Sequence, residues 1–206
     1  MTRKFKALGL ALFATLALGA MMASTASATE FTAASYPVKY TGTQDATQPH
    51  VFTADNYETR CKDASFSGEA TATSTTATLV PVYKECTTAS LGSVVNMNGC
   101  DYLLHLSASG TAATVDLVCG AGKSAEIILA GGVCIIHIPA FTGKAKVELS
   151  NTHPNITGAA SVSGITALLT KSSFLCPFKV NSTVVNTATY IGHLTVSGGA
   201  TTIDIG

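Results

Sequence analysis

Five histidines and six cysteines are the side chains in this chain that could most readily hold a metal or move a proton. His105 and His137 fall inside strand-like runs, and a shared sheet face would bring them together. Two histidines and a nearby carboxylate would suffice for a catalytic zinc. The spacing does not encode such a site, because there is neither H-x-H nor H-E-x-x-H among His50, His105, His137, His153 and His193. The cysteines include no C-x-x-C pair. No metal or other cofactor is expected.

Other chemistry finds equally little purchase. No G-x-S-x-G elbow offers a serine nucleophile, and the acidic residues are dispersed without a recognisable glycosidase-like pair. The chain has no tryptophan for a flat sugar platform. Tyr36, Tyr40, Tyr57 and Tyr83 could face the surface, although core or edge packing is the commoner fate of such residues. There is no D-x-D-x-D-G calcium loop. Asn155-Ile156-Thr157 and Asn181-Ser182-Thr183 match the glycosylation sequon and mark exposed turns. No catalytic residue is assigned. An enzyme site, if present, would have to be built around His105, His137 and nearby carboxylates.

The elements that would position these groups begin after residue 28. Arg3, Lys4 and Lys6 precede an apolar run from Ala7 to Met22, and Ala26-Ser27-Ala28 follows. A basic head, a short apolar helix and a small-x-small exit predict a signal peptide over 1–28, cut after Ala28. The apolar run is shorter than the roughly 20 residues that span a bilayer. The expectation is a secreted, extracellular protein with no membrane anchor, its domain running from 29 to 206. Without the three basic leader residues, nine basic side chains face twelve acidic ones, a net charge near −3. That balance does not predict nucleic acid or an anionic membrane as partner.

Only 12% of residues are charged while 47% are hydrophobic, and Thr, Ser, Ala, Gly and Val dominate. β-Branched residues favour strands, and no i, i+3, i+4, i+7 apolar pattern appears past the leader. Short alternating runs such as Thr114 to Val118, Lys144 to Glu148 and Thr201 to Ile205 predict strands with one solvated face. Glu126 to Leu129 and Cys134 to Ile138 are richer in apolar residues and read as central strands covered on both faces. Turn signals recur at Thr41-Gly42, Ser109-Gly110, Gly120 to Gly122, Gly131-Gly132, Asn151 to Pro154 and Gly198-Gly199. Gly68, Gly164 and Gly192 look like bends or bulges. The fold class predicted is all-β: a single domain of about ten to fourteen strands, a two-layer antiparallel sandwich, with an open barrel as the alternative. An exposed sheet edge could then support self-association.

An even cysteine count in an exported chain predicts three disulfides. Cys100 and Cys119 flank two runs that meet at Ser109-Gly110. In a hairpin about that turn, opposite residues have numbers summing to about 219, as these two do. Cys61 and Cys86 bracket another strand pair, which leaves Cys134 with Cys176. This sequential order is the pairing expected, although the sequence alone leaves other connectivities open.

Several segments resemble uncharacterised secreted proteins of soil actinobacteria. They are Phe31-Thr32-Ala33-Ala34-Ser35-Tyr36-Pro37, His50-Val51-Phe52-Thr53, Cys61 to Gly68, Asn96 to Tyr102, Phe174 to Phe178 and Tyr190-Ile191-Gly192. The resemblance spans nearly the whole of 29–206 with every cysteine context in order. It implies bacterial origin and export, and no activity, substrate or partner. The function expected is a non-enzymatic structural or binding protein, secreted or at the cell surface.

Overall fold

The computed structural model describes residues 29–171, 173–177 and 183–206. The signal peptide, its helix and the cleavage point after Ala28 lie outside these residues, as do Asn181 and Ser182 of the second sequon. The described chain is all-β and antiparallel. Its strands are β1 (Phe31–Ala33), β2 (Val38–Gln44), β3 (His50–Ala54), β4 (Tyr57–Ala70), β5 (Thr76–Thr88), β6 (Leu91–Asn96) and β7 (Asp101–Leu106). There follow β8 (Ala112–Val118), β9 (Ser124–Leu129), β10 (Cys134–Pro139), β11 (Phe141–Thr152), β12 (Asn155–Lys171), β13 (Thr183–Ser197) and β14 (Ile203–Ile205).

Twelve of these strands form one sheet that closes on itself. β2 and β3 run head to tail along one line of the barrel wall, as do β6 and β7, β8 and β9, and β10 and β11. β4, β5, β12 and β13 each run the full height. The wall therefore has eight staves, four continuous and four broken, in simple up-and-down order. β13 closes the ring by pairing with β2 (Leu194 opposite Gln44) and with β3 (Tyr190 opposite Phe52). The all-β antiparallel class holds, but in place of a two-layer sandwich the chain takes the barrel, and a closed one rather than an open one, so every wall strand has two neighbours.

All eight staves are interrupted at one level. The broken staves lose pairing at 45–49, 97–100, 119–123 and around Ala140. The continuous staves carry bulges there: Cys61 and Ala64, Tyr83 and Cys86, Val162 and Ile165, and Val185 and Ala188 face the same way although they are three apart. Glu85 and Gly164, with φ of 49° and 70°, supply the left-handed backbone that two of these bulges need. This waist divides the barrel into an upper tier (β2, β7, β8, β11) and a lower tier (β3, β6, β9, β10), joined by the four long staves.

Disulfides Cys61–Cys86 and Cys100–Cys119, with Cα atoms 3.9 and 4.1 Å apart, lie beside the waist. Cys134–Cys176 ties the lower tier to the segment after β12. A ribbon of β1 and β14 covers the upper end, with Phe31 opposite Ile205 and the Asn151 amide bonded both to the N–H and to the carbonyl of Ile205.

Two local expectations are corrected by closure. The runs Glu126 to Leu129 and Cys134 to Ile138 are not covered on both faces. Ile127, Leu129 and Ile136 are buried, but Ile128 and Ile135 face outward and are half-buried, because a barrel has no second layer outside it. Thr41-Gly42 is not a turn but the middle of β2, where a Cβ on Gly42 would stand 3.1 Å from that of Phe66.

Candidate functional site: a hollow tier floored by a buried histidine–tyrosine relay

An eight-stranded barrel has an interior just wide enough to be filled by side chains or to hold one small ligand, so side-chain size decides which. In the far half of the lower tier Leu129, Ile136, Leu169 and Thr88 are at most 1% exposed and line no cavity, whereas Val95, Ile127, Ile138 and Ile165, next to the waist, line the lower end of the space left in the bore. The upper tier places Ala70, Ala77, Gly158 and Ala160 on its inner wall among Leu79, Leu104, Val115 and Val147. The space left is a cavity of about 160 Å³, almost wholly apolar, roofed by Phe31, Tyr36 and Ile203. Apolar cavities of about 150 Å³ stay dry and take up benzene-sized molecules.

The floor of the cavity, at the waist, is polar in one respect only. His50 from β3, Tyr83 from β5, Tyr102 from β7 and Tyr190 from β13 converge there with Phe66. His50 Nε2 lies 3.1 Å from the carbonyl of His193, and His50 Nδ1 is hydrogen-bonded to the Tyr190 hydroxyl. Tyr83 Oη is 3.0 Å from both Tyr190 Oη and Tyr102 Oη. The His50 ring lies against the bare Cα of Gly192, where a Cβ would come within 2.4 Å of Nδ1. Gly192 is thus neither bend nor bulge. It stands in register opposite Ala160 and makes room for the imidazole. Gly68 does the same for the Tyr40 ring, whose hydroxyl reaches the Thr78 carbonyl at 2.8 Å.

Burial holds His50 at a pKa of about 4, with the hydrogen bond to the His193 carbonyl opposing that shift and the nearby His193 charge adding to it. The imidazole is therefore neutral at pH 7. Burial also pushes the phenols of Tyr83 and Tyr190 well above their usual range, and that of Tyr102 upward. The cluster carries protons without carrying charge.

His105 and His137 are elsewhere. Both face outward, His105 Nε2 at 3.0 Å from Asp116 Oδ2 and His137 Nδ1 at 3.2 Å from Glu126 Oε1. Asp116 also accepts the N–H of Gly143 at 2.7 Å. Each histidine has its own carboxylate, but neither lines the cavity. His153 pairs with Asp204 at 3.6 Å on the outside. Among the described residues no group of three or more His, Cys, Asp or Glu side chains could hold a metal ion. Tyr36, Tyr40, Tyr57 and Tyr83 turn inward or bond to backbone, Tyr57 donating to the Pro177 carbonyl at 2.6 Å.

Sequence reasoning singled out the two outward histidines and passed over His50. The signal for His50 was its parity: it shares a strand face with Phe52 in an apolar run, and a histidine there must be partnered inside. Comparison with protein-family models, with curated proteins and with solved structures finds no match to this chain.

Proposed function

We propose that this chain is a non-enzymatic binding protein that carries one small apolar molecule inside the upper tier of its barrel. The observation that supports it is the pairing of a filled far end, around Leu129, Ile136 and Leu169, with a hollow that spans the upper tier and reaches the waist of the same eight-stave barrel. Empty apolar space destabilises a core, by several kcal/mol for a cavity of this order. A fold able to pack one half of its bore has the means to pack the other. The roof is a two-stranded ribbon held at its ends, and a ribbon of that kind can lift to admit a guest more readily than the wall can open.

Export fits this reading. Three disulfides in a small all-β fold suit an extracellular protein, as do the leader and the resemblance to secreted actinobacterial proteins. Outward-facing Lys39, Glu58, Arg60, Lys84, Lys146 and Glu148 support a water-bathed exterior, the reverse of the apolar band that a membrane barrel presents. Association through a sheet edge would have to use the ribbon strands, since the wall strands are paired on both sides. An enzyme built around His105 and His137 draws less support, because the two histidines are held in separate carboxylate pairs.

Thermal unfolding in the presence of toluene tests the proposal. At a ligand concentration about 100 times Kd, binding stabilises by about 2.7 kcal/mol, worth roughly 5–10 °C in a domain of this size. Gly158→Val, which builds into the cavity where the new Cβ would meet Leu149 and Val147 at ordinary contact distance, should abolish the rise. No rise in the unsubstituted protein, or the same rise in Gly158→Val, would refute it.

A further inference from the structure

The direction of the hydrogen bonds on the cavity floor can be worked out one proton at a time. The His193 carbonyl can only accept, so His50 Nε2 carries a hydrogen. A neutral imidazole then has a bare Nδ1, which must accept from the Tyr190 hydroxyl. Tyr190 has spent its one proton, so its oxygen accepts from Tyr83. Tyr83 has spent its own, so its oxygen accepts from Tyr102. Tyr102 donates to Tyr83 and, among the described residues, accepts from nothing. The chain runs one way, from Tyr102 through Tyr83 and Tyr190 to His50, and ends on a carbonyl. The low pKa of His50 supports the neutral ring on which this ordering depends.

One phenol oxygen that accepts no hydrogen bond within the row is therefore left at the wall of a largely apolar chamber, and Tyr102 lines that chamber. Resting on the binding reading above, we infer that the guest is a small amphipathic molecule with a single hydroxyl or N–H donor, its apolar body among Leu104 and Val115 and its donor on Tyr102 Oη. A molecule that only accepts hydrogen bonds finds no donor on this floor, because each relay hydrogen is already committed. The His50 ring, held by Gly192 and the His193 carbonyl, sets the polarity of the whole row. It thereby selects donors over acceptors although its own ring hydrogen is committed to the His193 carbonyl.

The test is titration calorimetry of the purified protein with phenol, aniline, pyridine and toluene. Water holds phenol and aniline more tightly than pyridine, so desolvation alone would favour pyridine. The inference expects the opposite: phenol and aniline should bind about tenfold or more tighter than pyridine, because an unpaired acceptor would be buried against an acceptor. Pyridine binding as tightly as phenol would overturn the inference while leaving the cavity proposal intact, provided toluene binds. If none of the four binds, the cavity proposal itself fails. Tyr190→Phe separates direction from mere polarity. It disconnects Tyr83 and Tyr102 from His50, so either may donate into the chamber, and the preference should fall to within about threefold. A preference undiminished in a folded Tyr190→Phe protein would overturn the ordering. Should that variant not fold, the four-ligand comparison on the unsubstituted protein still decides.

Discussion

The two tiers share four staves, the same strand number and therefore the same bore, yet the lower one is filled beyond its waist-side residues and the upper one is not. In the lower tier, Leu129, Ile136 and Leu169 are fully buried within the hydrophobic core and line no cavity. In the upper tier, glycine and alanine occupy positions on β4, β5 and β12 where larger side chains would fit. The difference teaches that closure and filling are separate decisions: hydrogen bonding between staves makes the barrel, and inward side-chain volume decides what the barrel contains. The fully packed part lies at the far end below the waist, and the empty space at the waist and above it.

The largest effect that can break this comparison is a cavity made where there is none. Ile136→Ala should cost about 3–5 kcal/mol, because the solid tier cannot collapse around the loss. Val115→Ala, on the wall of the existing cavity, should cost about 1 kcal/mol, since it forfeits few contacts. Chemical denaturation of both variants checks the contrast, and equal losses would mean that the tiers are packed alike.

Next in size is the pH dependence set at the waist. His50 titrates near 4 in the folded protein against about 6.5 when unfolded, so between those values the unfolded chain binds the extra proton. Stability from this group is fully present above pH 6.5 and declines as pH falls toward 4, by about 3 kcal/mol over that window. Denaturation midpoints measured from pH 7 to pH 4 should show the slope, and His50→Gln should flatten it.

Gly192→Ala should cost about 2–3 kcal/mol, because the new methyl group displaces the His50 ring. In a His50→Ala background the same change should cost far less. A double-mutant cycle showing simple additivity would mean that glycine serves some other need at this position. The smallest effect concerns a lower-tier hairpin. Ala89 and Ser90 have φ of 49° and 66°, the left-handed pair of a type I′ turn made from residues that dislike it. Ser90→Gly should raise stability by about 1 kcal/mol and leave ligand binding in the upper tier unchanged.

Period-two alternation made the strands legible, and the arithmetic about Ser109-Gly110 placed Asp101 opposite Val118, numbers that sum to 219 as those of the bridged cysteines do. Closure was not legible. It depends on β13 pairing with β2 and β3, well over a hundred residues away, and no local pattern records that contact. The broken staves hid the barrel further, because each looks like two short strands joined by a turn rather than one long strand interrupted. Ala89-Ser90 carries none of the Asn-Gly chemistry that announces a tight hairpin. The relay was invisible for the same reason as closure: His50, Tyr83, Tyr102 and Tyr190 lie on four staves that meet only across the bore. A histidine in an apolar strand and a glycine two residues after a tyrosine were both in view, but nothing in the sequence joins them.

A crystal of the protein pressurised with xenon would test the central claim most directly. The account predicts xenon in the upper tier, among Leu104, Val115 and Val147 beneath the β1–β14 ribbon, and none below Ile127. Xenon among Leu129, Ile136 and Leu169, or nowhere within the barrel, would contradict the division into a filled end and a hollow one.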